Sequence, residues 1–202
     1  MIDRRSLLRN SSAATLGALA LTAVAGGTDL AAAAERHPQL LGDPASTPEA
    51  ESLWPQHLTP TERRNLKTFD ELDFAVYSGQ EWERLGESHS RNIRVHWPDG
   101  HYTDGIERHV ADLKAQFVWA PNTRISEHPI RIAKGELTAV TGVMKGTFSR
   151  PMPDGNGGFV QPTGNSFAVN MVTVGLWNKR GVMDEEFLFW DNQTFLQQIG
   201  LA

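Results

Sequence analysis

The residues best suited to proton chemistry in this 202-residue chain cluster toward its C-terminal end. Asp191 follows an apolar run, Phe187-Leu188-Phe189-Trp190. In a β-strand side chains alternate, so Glu185, Phe187, Phe189 and Asp191 would share one face, and Glu186, Leu188 and Trp190 the other. With the first set turned inward, Asp191 is a carboxylate at the end of an aromatic wall. Desolvation there raises its pKa. A carboxylate so tuned takes a proton from an activated carbon and returns it to a new alkoxide. The other reading makes Asp191 the N-cap of a following helix, which lowers its pKa and leaves it inert. Both readings stay open on the residues alone.

Three further polar residues are candidates. His96 precedes the turn Pro98-Asp99-Gly100, where it could hydrogen-bond an enolate oxygen or set the protonation of Asp191; the alternative is a rim histidine. Asn170 lies among apolar residues and could donate to a substrate carbonyl, or be an edge-strand polar residue. Asp73 falls on the apolar side of the first helix, where a buried carboxylate needs a partner. Trp97, Phe187 and Phe189 supply aromatic surface for a mostly apolar, oxygenated ligand.

Other chemistries lack their residues. There is no cysteine, hence no disulfide, thiolate nucleophile or thiolate metal site. His101, His109 and His128 have no metal-ligand spacing and there is no His-Glu-x-x-His, so neither metal nor cofactor is expected. Asp154-Gly155-Asn156-Gly157-Gly158 lacks the later acidic positions of a calcium loop and reads as a hairpin loop over a pocket mouth. With 19 basic against 24 acidic side chains the chain has no basic footprint for nucleic acid.

The N-terminus sets the compartment. Arg4-Arg5 is followed by Leu7-Leu8-Arg9, an uncharged apolar stretch from about residue 13 to 25, and Ala31 to Ala34. A basic start, an apolar middle and a small-residue end mark a signal peptide of twin-arginine type over residues 1–34. The apolar stretch is shorter than the roughly 20 residues that span a bilayer. The mature protein is therefore expected in the periplasm or secreted, without a membrane segment. Its export removes three arginines and two aspartates, leaving it more acidic.

Residues 35–58 hold four prolines and no period, which reads as a leader on which Trp54 could dock. The domain, 59–202, opens on Thr59-Pro60 with Glu62 three residues on, a capping box for a helix over 60–77. A short helix over 80–87 and a strand over 92–97 follow. Asp104 is expected to cap a helix to residue 119, with Ile106, Val110, Leu113 and Phe117 as its stripe. Strands are expected over 128–133, 137–149, 165–178 and 182–190, and a last helix over 192–199. Helices followed by a meander of strands give an α+β fold with helices on one face of a curved sheet. The last strand is apolar on both faces, so its outer face is expected to meet a second copy in a homodimer.

Those elements, the entry Asp104-Gly105-Ile106, Gly146-Thr147-Phe148 and the ending from Glu185 through Asp191 to Gly200 resemble the SnoaL-like polyketide cyclases of the nuclear transport factor 2-like superfold. The resemblance covers roughly residues 60–202. It implies a cone-shaped, strongly curved antiparallel or mixed sheet around a pocket, with helices on its concave face. It also implies cofactor-free aldol chemistry with an aspartate at the end of the last strand, matching Asp191. Family cyclases carry a histidine partner on the preceding strand; by spacing Trp177 stands there, so the acid–base pair is altered. The expected function is a cyclase, isomerase or dehydratase acting on a small oxygenated molecule. The rivals are a non-catalytic binding domain with the same pocket, and a purely structural dimerisation domain.

Overall fold

A computed structural model describes residues 54–202. The expected signal segment, and the leader up to residue 53, lie outside the described residues. Trp54, at the leader's end, packs on the domain, with the Arg131 guanidinium 5.2 Å from its ring centroid.

Helix α1, Pro60–Glu71, starts as its capping box dictates: the Glu62 N–H donates to Thr59 Oγ1 (3.3 Å) and the Thr59 N–H to Glu62 Oε2 (2.8 Å). Leu66 and Phe69 are sealed beneath it, each such burial stabilising the fold by about 1.5–3 kcal/mol. The helix does not run on uniformly to residue 77. It widens into a π-helical turn, Leu72–Tyr77, in which the Ser78 N–H reaches back five residues to the Asp73 carbonyl at 3.3 Å. A 3-10 turn, Trp82–Glu87, leads into the sheet.

The sheet has six strands: β1 (His89–His96), β2 (Tyr102–Asp104), β3 (Arg131–Lys134), β4 (Leu137–Thr147), β7 (Ser166–Trp177) and β8 (Met183–Trp190). Their order is β2-β1-β8-β7-β4-β3. Two short strands, β5 (Met152–Pro153) and β6 (Phe159–Val160), form a separate hairpin in the glycine-rich loop. The sheet is mixed, because β1 lies parallel to β8 while the other pairs are antiparallel. Between His89 and Arg94 the β1 register shifts against β8, so β1 carries a bulge there.

Helices α1, α2 (Ile106–Trp119) and α3 (Asn192–Gln198) pack on the inner face, over Val140, Met144, Phe167, Val169, Met171 and Leu188. Trp119, Phe148, Phe167 and Phe195 close the α3 end with ring centroids 4.9–6.1 Å apart. This is the expected α+β cone. Among the described residues no helix is long and apolar enough to cross a membrane.

Two local expectations are corrected. Asp104 does not cap α2; it is the last residue of β2 and takes Arg94 at 2.7 and 3.0 Å. Gly105, at φ 90°, is the N-cap instead, a conformation an L side chain rarely adopts. The last strand also presents the opposite face inward: Glu186 and Leu188 are buried, whereas Phe189 is 52% exposed. Phe-Leu-Phe-Trp is apolar at both parities, so alternation in hydrophobicity could not choose between them.

Candidate functional site

Two groups of polar side chains converge inside the cone. The first is built on the π-helical turn, which directs Asp73 into the core. Asp73 Oδ2 lies 2.8 Å from His128 Nε2, and His128 Nδ1 lies 2.8 Å from Asp70 Oδ1. Arg131 grips Asp70 with two donors at 2.9 and 3.0 Å. His128 is wedged between Phe69 and Phe74, with ring centroids at 5.9 and 4.6 Å. Gly142 lies beside it: a Cβ there would be in ordinary contact with His128 Cδ2 at 3.5 Å and tight against Ile125 Cγ2 at 3.2 Å.

The electrostatics separate the two aspartates. Burial opposes charge on both. At Asp70 the His128 and Arg131 hydrogen bonds and charges win, and the pKa is lowered. At Asp73 desolvation wins over His128, aided by the nearby Glu186 charge, and the pKa is raised. His128 is itself raised, because two carboxylates outweigh the cost of burying its charge. Asp73 Oδ1 takes no hydrogen bond among the described residues, and the side chain keeps 12% of its surface exposed. The expected buried-aspartate partner is thus present, from a histidine that sequence spacing did not connect to it.

The second group is His89 at the start of β1, His109 on α2 and Glu186 on β8, all nearly sealed. The Nε2 atoms of His89 and His109 lie 3.5 and 3.4 Å from Glu186 Oε2. Burial pushes His109 down to about 4 against the pull of Glu186. Burial alone would raise Glu186; the His89 hydrogen bond and both imidazoles hold it below its ordinary value.

The sequence-derived candidates fall elsewhere. Asp191 is the N-cap of α3, exposed, accepting from Thr194 Oγ1 (2.6 Å) and the Gln193 N–H (2.9 Å). Those hydrogen bonds lower its pKa, as the helix-cap reading implied and against the pocket reading. His96 is on the outer face of β1, stacked on Phe187 at 4.1 Å and 3.8 Å from Glu185, and not directed at Asp191. Asn170 and Phe189 do join Asp191, in a groove of about 500 Å³ with Pro129, Thr141 and Val172, but that groove lies on the outer sheet face. Trp177 is core: its indole N–H donates to Thr138 Oγ1 at 2.8 Å and its ring meets Phe69. Trp97 is half-buried, donates to Thr103 Oγ1 at 3.1 Å, and lies 5.9 Å from the His109 ring and 6.5 Å from Trp190. Of the original set, Asp73 and Trp97 therefore border the interior groups.

Comparison with known proteins agrees with the architecture. The family model of the SnoaL-like polyketide cyclases matches residues 70–199. No curated protein matches the chain by sequence. Among solved structures, a candidate SnoaL-like polyketide cyclase from Jannaschia sp. CCS1 superposes with TM-score 0.64 at 20% identity, over 73% of this chain and 99% of that one. IdmH, a candidate polyketide cyclase from Streptomyces antibioticus, gives 0.58 at 22% identity, over 67% and 98%. A protein of ketosteroid isomerase-like fold from Catenulispora acidiphila gives 0.54 at 15% identity, over 72% and 96%.

Proposed function

The chain belongs to the SnoaL-like polyketide cyclase family, and from that premise we propose that it is a small-molecule cyclase or isomerase whose proton-transfer group is Asp73. The observation that carries this reading is the Asp73–His128 contact of 2.8 Å, on a buried carboxylate whose pKa is raised and whose second oxygen takes no hydrogen bond among the described residues. A carboxylate so placed removes a proton from a carbon next to a carbonyl and returns it to the oxygen or carbon that gains charge. His128, held between Asp73 and Asp70, fixes the carboxylate's orientation, and the proton it shares sets which oxygen stays basic. The substrate is a small, largely apolar molecule with at least one carbonyl. A non-catalytic binding domain would need no carboxylate tuned in this way.

Deuterium exchange tests it without knowledge of the natural substrate. The protein is incubated in D2O with a panel of slowly exchanging ketones and followed by proton NMR. Exchange should be faster than background and should vanish in Asp73→Asn. Equal exchange in that variant would remove Asp73 from the mechanism.

The setting is also proposed. The Arg4-Arg5 start and the alanine-rich end support twin-arginine export to the periplasm or beyond. A signal fusion carrying Arg4→Lys and Arg5→Lys should then stay in the cytoplasm. The exposed apolar residues Val172, Leu176 and Phe189 support a homodimer through the outer sheet face.

A further inference from the structure

We propose that His89, His109 and Glu186 bind one divalent transition-metal ion of the zinc class. Three side chains from three elements present one ligand atom each, all within 4.8 Å of one another, and all three residues are at least 96% buried. The distances favour a metal site over an ordinary polar core. N–H···O bonds fall at roughly 2.7–3.2 Å, but the two Nε2 atoms stand 3.5 and 3.4 Å from Glu186 Oε2. The His89 contact is a hydrogen bond at its long limit, and both separations exceed the usual range. They match the edge, about 3.4 Å, of a tetrahedron whose metal bonds are about 2.1 Å long.

The surroundings fit the same reading. His89 Nδ1 is fixed by Ser88 Oγ at 2.8 Å and faces the Leu85 carbonyl at 3.3 Å, so its Nε2 is the nitrogen turned toward Glu186. A backbone or side-chain partner on the far nitrogen is how proteins orient a metal-binding imidazole. The two rings lie 5.0 Å apart between centroids, tilted 45° and not stacked. His109 faces Glu186 through Nε2 alone, its Nδ1 having no hydrogen-bond partner among the described residues. Two imidazoles and one carboxylate suit zinc, iron(II), cobalt or nickel, and not magnesium or calcium, which demand oxygen ligands. Three protein donors leave a fourth position for water or an oxygenated ligand. Sequence inspection missed the site because its donors come from residues far apart in the chain and form no short motif.

The test uses the tag-free mature protein, stripped with chelator and titrated with cobalt(II), then zinc(II). The expected result is one equivalent of cobalt giving the visible absorption of a tetrahedral site, displaced by zinc, with a rise in Tm. His109→Gln and Glu186→Gln should each weaken binding by at least roughly 100-fold, the upper end for losing only an outer partner of a metal ligand. His101→Gln, an exposed histidine, should leave it unchanged. Because either core variant could misfold, the wild-type protein also provides a direct readout: zinc should shift the Nε2 resonances of His89 and His109 together in long-range nitrogen–proton NMR. Absence of stoichiometric cobalt binding, or binding that leaves both resonances unmoved, overturns the proposal. The Asp73 exchange assay is independent of this result, so the two readings fail separately.

Discussion

The N-terminus of α3 and the interior of the cone hold aspartates of opposite character. On the outer side Asp191 stands in solvent, tied down by Thr194 and Gln193, and its pKa is lowered. Within the cone, Asp73 is buried against His128 and its pKa is raised. The two aspartates have the same chemistry in isolation. What differs is how many donors each has against how much water each has lost. A helix N-terminus supplies donors without desolvation, which stabilises an anion. The cone supplies desolvation with a single donor, which makes a base.

That contrast can be broken most sharply at Asp73. Asp73→Asn should cost about 10²–10⁴-fold in proton-transfer rate, while Asp191→Asn should leave the rate within a factor of about 2; steady-state exchange rates for the pair decide it. Equal losses would erase the distinction between the faces.

A smaller effect is expected from crowding His128. Gly142→Val places atoms against His128 and Ile125, and should destabilise the fold by about 1–3 kcal/mol, read as a lower urea midpoint. The exchange rate should fall with it, since His128 holds Asp73.

The pH dependence sharpens the electrostatic part. His128 has a folded-state pKa above its unfolded 6.5. Its contribution is therefore full below that value and is lost as pH rises through the folded pKa. Asp73, also raised, acts in the same direction, whereas Asp70, lowered from 3.8, contributes above that value and fails as pH falls. In His128→Asn the stability deficit should be larger at pH about 5.5 than at pH about 9, measured by urea unfolding at both.

The outer face is tested last. Phe189→Glu should convert a dimer to a monomer in light scattering and leave the interior exchange chemistry intact. Asp191→Ala should do least, removing one helix cap and giving a slightly lower Tm with no change in rate.

Much of the frame could be read from local patterns. Thr59-Pro60 with Glu62 specified the start of α1 because the capping box involves only neighbours in sequence. The long β4 and β7 strands were visible in their β-branched content. Asp73 was visible as a carboxylate on an apolar helix face, but its partner was not, because His128 is brought to it by the strand order and by the space at Gly142. The π-helical turn that aims Asp73 inward had no readable signal either.

By itself the sequence determined the class of the fold, the family, the cysteine-free chemistry and the acidic charge balance, all properties of composition and short-range pattern. Tertiary structure alone decided which carboxylate is buried. A strand's period of two assigns residues to two faces but does not say which face is inside when both are apolar. His89, His109 and Glu186 meet one another, and His128 meets Asp73, only in the folded chain, so no spacing along the chain encodes either meeting. The aspartate at the end of the last strand was the readable one, and it caps a helix. The one buried against a histidine sits inside the cone.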